Sequence, residues 1–390
     1  TTDYTSAYME VMSGFTTTGL TTLRNIEAAP RSILFWRSLT HWIGGMGIVV
    51  LFVALLPLVG VEGFPLFGAE AVGPTKSKLT PKIKNTALIL WLIYVGITLM
   101  ETILLLFGGL SLYDALTVTF GSVATGGFVT KNASVGHYAS AYVDAIVTIF
   151  MVMAGVNFSL YFAIIRKKLT MVWRDTELRV YLAIYFIATA VTTISLVTSG
   201  TYRSVGQSLR YGAFHTASIM TTTGFATADY GTWPVLPQAI LLLLMFIGGC
   251  AGSTGGGMKV TRLVTMFKLG RQNIRSLLHP KGFFTIQSEH ERIPWKTVNA
   301  IAGFVAIYLA LVLASTLVVA SAGYDLLSSF VSGLISVGNI GLGMEAVGPV
   351  GIGFGPMPSY VKWFLSLMML AGRLEIYTVF AIFTRTFWRR

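Results

Sequence analysis

The chain has 390 residues, of which 54% are hydrophobic and 11% charged, and a formal net charge of +12. Soluble domains carry roughly 25% charged residues, so this composition indicates one polytopic membrane protein and excludes a disordered chain, a coiled coil and a nucleic-acid-binding module. One cysteine, Cys250, and histidines without HxxxH or HExxH spacing exclude intramolecular disulfides and a Cys-based metal site.

A membrane helix needs about 20 apolar residues. The chain opens at Thr1 inside a polar-to-apolar stretch, without an initiator Met or a signal peptide, which reads as a fragment. Residues 3–15 form a short apolar stretch leading into Thr16-Thr17-Thr18-Gly19-Leu20, and a predicted span covers 33–59. A second span covers 86–107. A second short stretch, 113–123, then leads into Ala124-Thr125-Gly126-Gly127-Phe128, with a span at 142–165 behind it. The next span, 180–199, precedes a third short stretch, 208–220, and Thr221-Thr222-Thr223-Gly224-Phe225. A further span begins near Ala239 and breaks at Gly248-Gly249-Cys250-Ala251-Gly252-Ser253-Thr254-Gly255-Gly256-Gly257. The last quarter has a span at 298–322, a short stretch at 325–337 leading into Gly338-Asn339-Ile340-Gly341-Leu342, and a span at 363–384. Most of the 28 lysines and arginines lie in connections 60–84, 166–179 and 258–296 and at the C-terminus. The positive-inside rule places all four in the cytoplasm. The expected location is the cytoplasmic (inner) membrane of a bacterium or archaeon, crossed several times and surrounded by lipid.

The short stretches are too short to span, and all four lie on the outer side. Their shared glycines at 19, 127, 224 and 341 recur about every hundred residues, the mark of an internal repeat. A weaker echo follows in each second span: Gly44-Gly45, Ala154-Gly155, Gly248-Gly249 and Ala371-Gly372. The expected fold is all-α, with a pseudo-fourfold repeat of span, pore helix, filter and span around one pore. Its quarters are 1–60 (lacking the leading span), 61–165, 166–296 and 297–390.

Non-helical backbone at membrane depth must line a protein-enclosed cavity. Four such segments in equivalent places imply a pore whose carbonyl oxygens replace the hydration shell of a cation. Glycine supplies the backbone freedom that aims successive carbonyls one way. Threonine hydroxyls add oxygens in three copies, and the amide of Asn339 adds one in the fourth. The predicted K⁺ sites are Thr17, Thr18 and Gly19; Thr125, Gly126 and Gly127; Thr222, Thr223 and Gly224; and Asn339, Ile340 and Gly341. K⁺ is cargo, and no organic cofactor is expected.

The glycine-dense break should be mobile and line the cavity below the filter. Gly248, Gly249, Gly252, Ser253, Thr254, Gly255, Gly256 and Gly257 read as a gate, the alternative being a static kink. Arg373, inside the last span, reads as a fixed positive charge below the filter; the alternative is an ion pair with Glu375 or Glu101, Glu375 being the poorer partner on helical geometry. Asp3, Glu27, Asp229 and Glu345 either gather cations at the mouth or are scattered solvated acids. Asn157 and His41 read as interhelical hydrogen-bonding groups rather than ligands.

Thr17-Thr18-Gly19-Leu20-Thr21-Thr22, Ala124-Thr125-Gly126-Gly127-Phe128 and Thr222-Thr223-Gly224-Phe225 resemble the filters of the Trk/Ktr/HKT potassium transporters. The run from Phe246 through Gly257 is similar to the intramembrane loop of the TrkH branch, and Gly372-Arg373-Leu374-Glu375 to its last helix. The resemblance covers the whole chain. It implies K⁺ uptake through a one-chain pore, a homodimer, and gating by a cytoplasmic nucleotide-binding ring of the TrkA type. It also implies that the loop and Arg373 form the constriction. The first unit departs by lacking its leading helix, and the fourth filter departs by lacking threonine, which predicts looser discrimination against Na⁺. The competing readings are a secondary transporter with broken helices holding a small solute, which two inverted repeats would favour over four like-oriented ones, and an intramembrane enzyme, for which no paired acids, His pair or nucleophile elbow lies within the spans.

Overall fold

The computed structural model describes residues 3–47, 83–279, 286–288, 291–349, 351 and 353–388. A short helix, α1 (Tyr4–Phe15), is followed by α2 (Arg31–Met46). Next come a long apolar helix, α3 (Ile83–Phe107), and a short one, α4 (Leu112–Val123). Helices α5 (Ala141–Ala154) and α6 (Phe158–Ile165) are followed by the single turn-and-a-half of α7 (Leu169–Arg174). The third set comprises α8 (Thr176–Thr198), α9 (Val205–Met220) and α10 (Val235–Leu244), then an irregular loop and α11 (Val260–Leu278). Two antiparallel two-residue strands, β1 (Gln287–Ser288) and β2 (Glu291–Arg292), precede α12 (Trp295–Ala320). The chain finishes with α13 (Leu326–Gly338), α14 (Ser359–Arg373), α15 (Ile376–Ile382) and α16 (Arg385–Trp388).

Among the described residues, α8, α12 and the 87–107 part of α3 are long and apolar enough to cross a membrane. Their outward faces carry exposed Leu99, Ile194 and Leu317, as lipid contact requires. The predicted spans 142–165 and 363–384 need correction. Each is a bent pair, α5 with α6 at 95° and α14 with α15 at 116°. Asn157, whose side chain accepts from Ser159 N, starts the second helix of one pair, and Glu375, at φ +59°, starts that of the other. Apolar composition does not distinguish a straight rod from a bent one. The 33–59 span begins as α2, and its residues 48–59 lie outside the described residues, as does most of the 60–84 connection.

The four short helices share one construction. Each begins at a side-chain cap, Asp3, Ser111, Ser204 or Asp325, that accepts a main-chain N–H of the first turn. These bonds hold the carboxyls of Asp3 and Asp325 below the usual carboxylate range, the Ser6 amide being the main cause for Asp3 and the Ser328 hydroxyl for Asp325. Helices α1, α4 and α9 pack on a second-span helix of the preceding set: α4 on α2, α9 on α5, and α1 on α14. Phe330 of α13 meets Phe246, just beyond α10, with ring centroids 6.2 Å apart. The contacts thus run in a closed circuit in chain order, first set against last.

Candidate functional site

The inner ends of the short helices converge. Each ends in a reverse turn in which an amide reaches back five residues: Thr18 to Ser13 O, Gly126 to Gly121 O, Thr223 to Ser218 O and Ile340 to Ile335 O, at 2.8–2.9 Å. This bond belongs to the Schellman motif, which requires a left-handed residue just before its donor. Thr17, Thr125, Thr222 and Asn339 occupy that place with φ of 51°, 53°, 61° and 54°. A β-branched residue there is strained by roughly 1–3 kcal/mol, a feature that clusters at functional sites.

Two residues further on stand Gly19, Gly127, Gly224 and Gly341. The first three have φ of 85°, 83° and 81°. Gly341 is not left-handed, so the common reason for glycine is space rather than φ. A Cβ on Gly224 would sit 2.7 Å from Gly341 N, and one on Gly341 would sit 2.7 Å from Thr18 O. Cβ atoms on Gly19 and Gly127 would strike the carbonyl oxygens of Gly126 and Thr223. The four glycines therefore close a ring in the order 19, 127, 224, 341. At 17–19, 125–127 and 222–224 the first and third residues have left-handed φ and the middle one does not. Asn339 gives its amide N–H₂ to Thr18 Oγ1 (3.0 Å) and Met369 O (2.8 Å). Its Oδ1 and the Oγ1 of Thr17 are buried and bonded to nothing in the protein.

A cavity of about 480 Å³ lies on the outer side of the ring, with all four glycines in its wall. Of the four outer acids named from sequence only Asp229 lines it, beside Arg24, Arg37 and Lys131. Asp3 caps α1, and Glu27 accepts from Asn132 N (3.2 Å). Acid clustering at the mouth is therefore not what this geometry provides.

On the inner side the second-span helices approach the ring at their small residues. A Cβ on Gly45 would sit 2.9 Å from Ala124 Cα, and one on Gly155 would sit 3.1 Å from Thr221 Cγ2. Gly372 faces Val337 O and Asn339 Oδ1 in the same way. The weak sequence echo thus marks where these helices must touch a short-helix end. Helices α5 and α14 bend just beyond these residues.

The glycine-dense loop between α10 and α11 lies directly beneath the ring. The amide of Gly256 donates to Thr222 Oγ1 (2.7 Å). Thr254 Oγ1 donates to Val123 O (3.0 Å) and Ala154 O (3.2 Å). Gly256 abuts Gly338 O so closely that a Cβ would stand 2.5 Å from it. The loop therefore occupies the orphan carbonyls that helix C-termini leave open. It is tied down at many points, where glycine content alone suggested slack. Gly248, Gly249 and Gly257 form its base, where Gly248 N donates to Met258 O (2.9 Å) and Val260 N to Gly249 O (3.2 Å). Gly252, Ser253, Gly255 and Gly256 line a second cavity of about 140 Å³ together with Lys259 and Arg373.

Arg373, the last residue of α14, donates to Thr254 O (2.8 Å), Gly44 O (3.0 Å) and Gly45 O (3.1 Å). Its guanidinium spans the loop and α2. Glu375 pairs instead with Arg262 of α11, and Glu101 accepts from Ser122 Oγ (2.5 Å). His41 Nδ1 lies 2.8 Å from Gly14 O, a hydrogen-bonding role.

Sequence reasoning missed the braces around the ring. Glu10 of α1 pairs with Arg37 of α2 at 2.6 Å, and both are buried. Glu10 also accepts from Thr22 N (2.8 Å), Thr22 Oγ1 (3.0 Å) and Thr21 Oγ1 (2.9 Å), just past the first ring segment. The Arg37 guanidinium stacks 3.9 Å from the Phe128 ring centre, beside the second segment. Lys362 of α14 donates to Ser6 Oγ (2.9 Å), joining the last quarter to the first. One acid in a short apolar helix and one arginine in the next span are a readable signal, because charges at membrane depth seek partners.

A family model described as "Cation transport protein", TrkH, matches residues 1–389. The Trk system potassium uptake protein TrkH of Escherichia coli K12 is 39% identical over 387 residues, covering 99% of this chain and 80% of that protein. The Escherichia coli protein TrkG of the same system is 34% identical, covering 99% and 79%. The crystal structure of the potassium transporter TrkH from Vibrio parahaemolyticus superposes with a TM-score of 0.87 at 35% identity, covering 99% of this chain and 80% of that one. Matched along nearly its whole length in sequence and in fold, the chain belongs to the TrkH family of cation transport proteins.

Proposed function

We propose that this chain takes up K⁺ across the cytoplasmic membrane through one axial pore formed by four quarters, 1–60, 61–165, 166–296 and 297–390. The observation that carries the reading is the ring of four equivalent helix ends, each left-handed at its threonine or asparagine, closed at four glycines between two cavities. A dehydrated K⁺ needs oxygens on all sides. Main-chain carbonyls of 17–19, 125–127, 222–224 and 339–341 supply them, with Thr17 Oγ1 and Asn339 Oδ1 as added acceptors on the inner side. The C-terminal dipole ends of the four short helices favour a cation there.

The loop at 248–257 and Arg373 act as the gate. With the loop in place, Gly256 N occupies one filter hydroxyl and the guanidinium stands in the inner cavity, so an ion leaving the ring meets hydrogen-bond donors and a positive charge. Opening requires the loop tip to leave Val123 O, Ala154 O and Thr222 Oγ1. The proposed assembly is a homodimer beside a cytoplasmic nucleotide-binding ring of the TrkA type, as the family resemblance implies; the relatives' names say only that they are parts of a Trk system. The deciding measurement is Rb⁺ tracer flux into liposomes, with K⁺ and Na⁺ as competitors. K⁺ should compete strongly and Na⁺ weakly; equal competition by both, or no flux, would remove the reading.

A further inference from the structure

Glu177 lies in the first turn of α8, whose start is fixed by Asp175 accepting from Leu178 N (2.6 Å). One carboxylate oxygen, Glu177 Oε1, accepts from two main-chain amides, Ala251 N at 2.8 Å and Thr261 N at 2.9 Å. These two residues bracket Gly252 to Gly257, so a single atom on α8 ties both sides of the loop just above its base bonds, Gly248 N to Met258 O and Val260 N to Gly249 O. The loop is also tied by Cys250 N to Gly155 O (2.8 Å), by Phe158 N to Gly252 O (3.0 Å) and, at its tip, through Thr254 and Gly256. Lys259, inside the bracket, reaches Gly255 O and not the carboxylate.

We propose that Glu177 is the positioning residue of the gate: it holds the neck at 251 and 261 as a fixed pivot, so that only the tip swings between blocking and clearing the ring. This inference rests on the loop being the gate. Two amides bonded to one carboxylate are charge-assisted hydrogen bonds. Removing the acceptor takes away the protein partner of both part-buried amides. The segment between 251 and 261 then loses its anchor on α8 and shifts with the tip, while the base bonds at 248–258 and 249–260 remain.

Cys250, the sole cysteine of residues 1–390, reports on the neck once any cysteine outside these residues is replaced by serine. It is buried, it adjoins Ala251, and its amide donates to Gly155 O (2.8 Å). The test measures maleimide labelling of Cys250 and Rb⁺ flux in the full-length protein, for Glu177→Ala, Glu177→Gln and a variant lacking 253–256. In Glu177→Ala, labelling should speed up by about tenfold or more, as loss of a hydrogen bond to a charged group implies, and flux should rise. Glu177→Gln retains an acceptor oxygen and should stay within about threefold of the native protein. In the deletion variant flux should rise, and adding Glu177→Ala to it should change flux no further. Native labelling and flux in Glu177→Ala, with raised flux in the deletion variant, would overturn the pivot and leave the gate standing. No rise on deletion would overturn the gate itself. If Glu177→Ala is not monodisperse, Glu177→Asp, too short to reach both amides, is read in its place: native labelling there also overturns the pivot.

Discussion

Three glycine-to-alanine substitutions separate the two reasons for glycine in the ring. Gly109, in the turn between α3 and α4, has φ +85° and nothing within 4 Å of a built Cβ. Alanine there incurs only the left-handed penalty, about 1–2 kcal/mol. Gly341 carries no left-handed φ, but its Cβ would lie 2.7 Å from Thr18 O and 3.0 Å from Gly19 Cα. Alanine there incurs only overpacking, about 1–3 kcal/mol. Gly224 carries both, with φ +81° and Gly341 N at 2.7 Å, so about 2–5 kcal/mol is expected from the same two sources. Cβ contacts under 3.0 Å essentially never occur, so at 224 and 341 neighbouring quarters must move apart by a few tenths of an ångström, carrying their carbonyls with them. Thermal inactivation in detergent should rank Gly109→Ala mildest and Gly224→Ala most severe. Rb⁺ flux with Na⁺ competition should show native selectivity in Gly109→Ala and a loss of about tenfold, or ~1.4 kcal/mol, in the other two. Native K⁺ over Na⁺ discrimination in Gly224→Ala, or indistinguishable behaviour of Gly341→Ala and Gly109→Ala, would refute the ring as the discriminating element.

Arg373→Ala removes three bonds to carbonyls of the loop and α2, and should raise single-channel current; Arg373→Lys, which cannot span all three, should fall between, and an unaltered current would exclude the guanidinium from the ion path. Truncating Glu10 to alanine strands the buried Arg37 guanidinium and should destabilise by about 3–5 kcal/mol. Replacing both Glu10 and Arg37 by methionine should be milder than either single change, which a thermal-inactivation series checks; an additive double variant would argue against a coupled brace.

Much of this arrangement was legible in the sequence because it is repeated. Gly19, Gly127, Gly224 and Gly341 recur at one topological position, and a steric requirement imposed four times leaves a trace that one copy would not. The bends at Asn157 and Glu375 were not legible, because hydropathy measures whether a segment belongs in lipid and not its direction; only the polar residue inside each apolar run hinted at them. The part of Glu177 was hidden for another reason. An acid in the first turn of a helix reads as a partner for the helix dipole, and its two amide donors come from about seventy residues or more along the chain. The ties of the loop were likewise invisible, since glycine density predicts slack and the bonds that remove it reach groups far along the chain, Val123 O, Ala154 O and Thr222 Oγ1 among them.

The absence of a left-handed glycine at 341 has a consequence for how such a protein diversifies. A channel assembled from identical subunits receives every substitution four times over, and a change that is tolerable once becomes intolerable when multiplied. Here one chain carries four unequal sectors, so Asn339-Ile340-Gly341 differs from Thr17-Thr18-Gly19 and Thr222-Thr223-Gly224 while its three companions have left-handed glycines. Under the proposed function, ion preference is then adjustable in increments of a single sector, with the remaining three preserving the permeation route during the change.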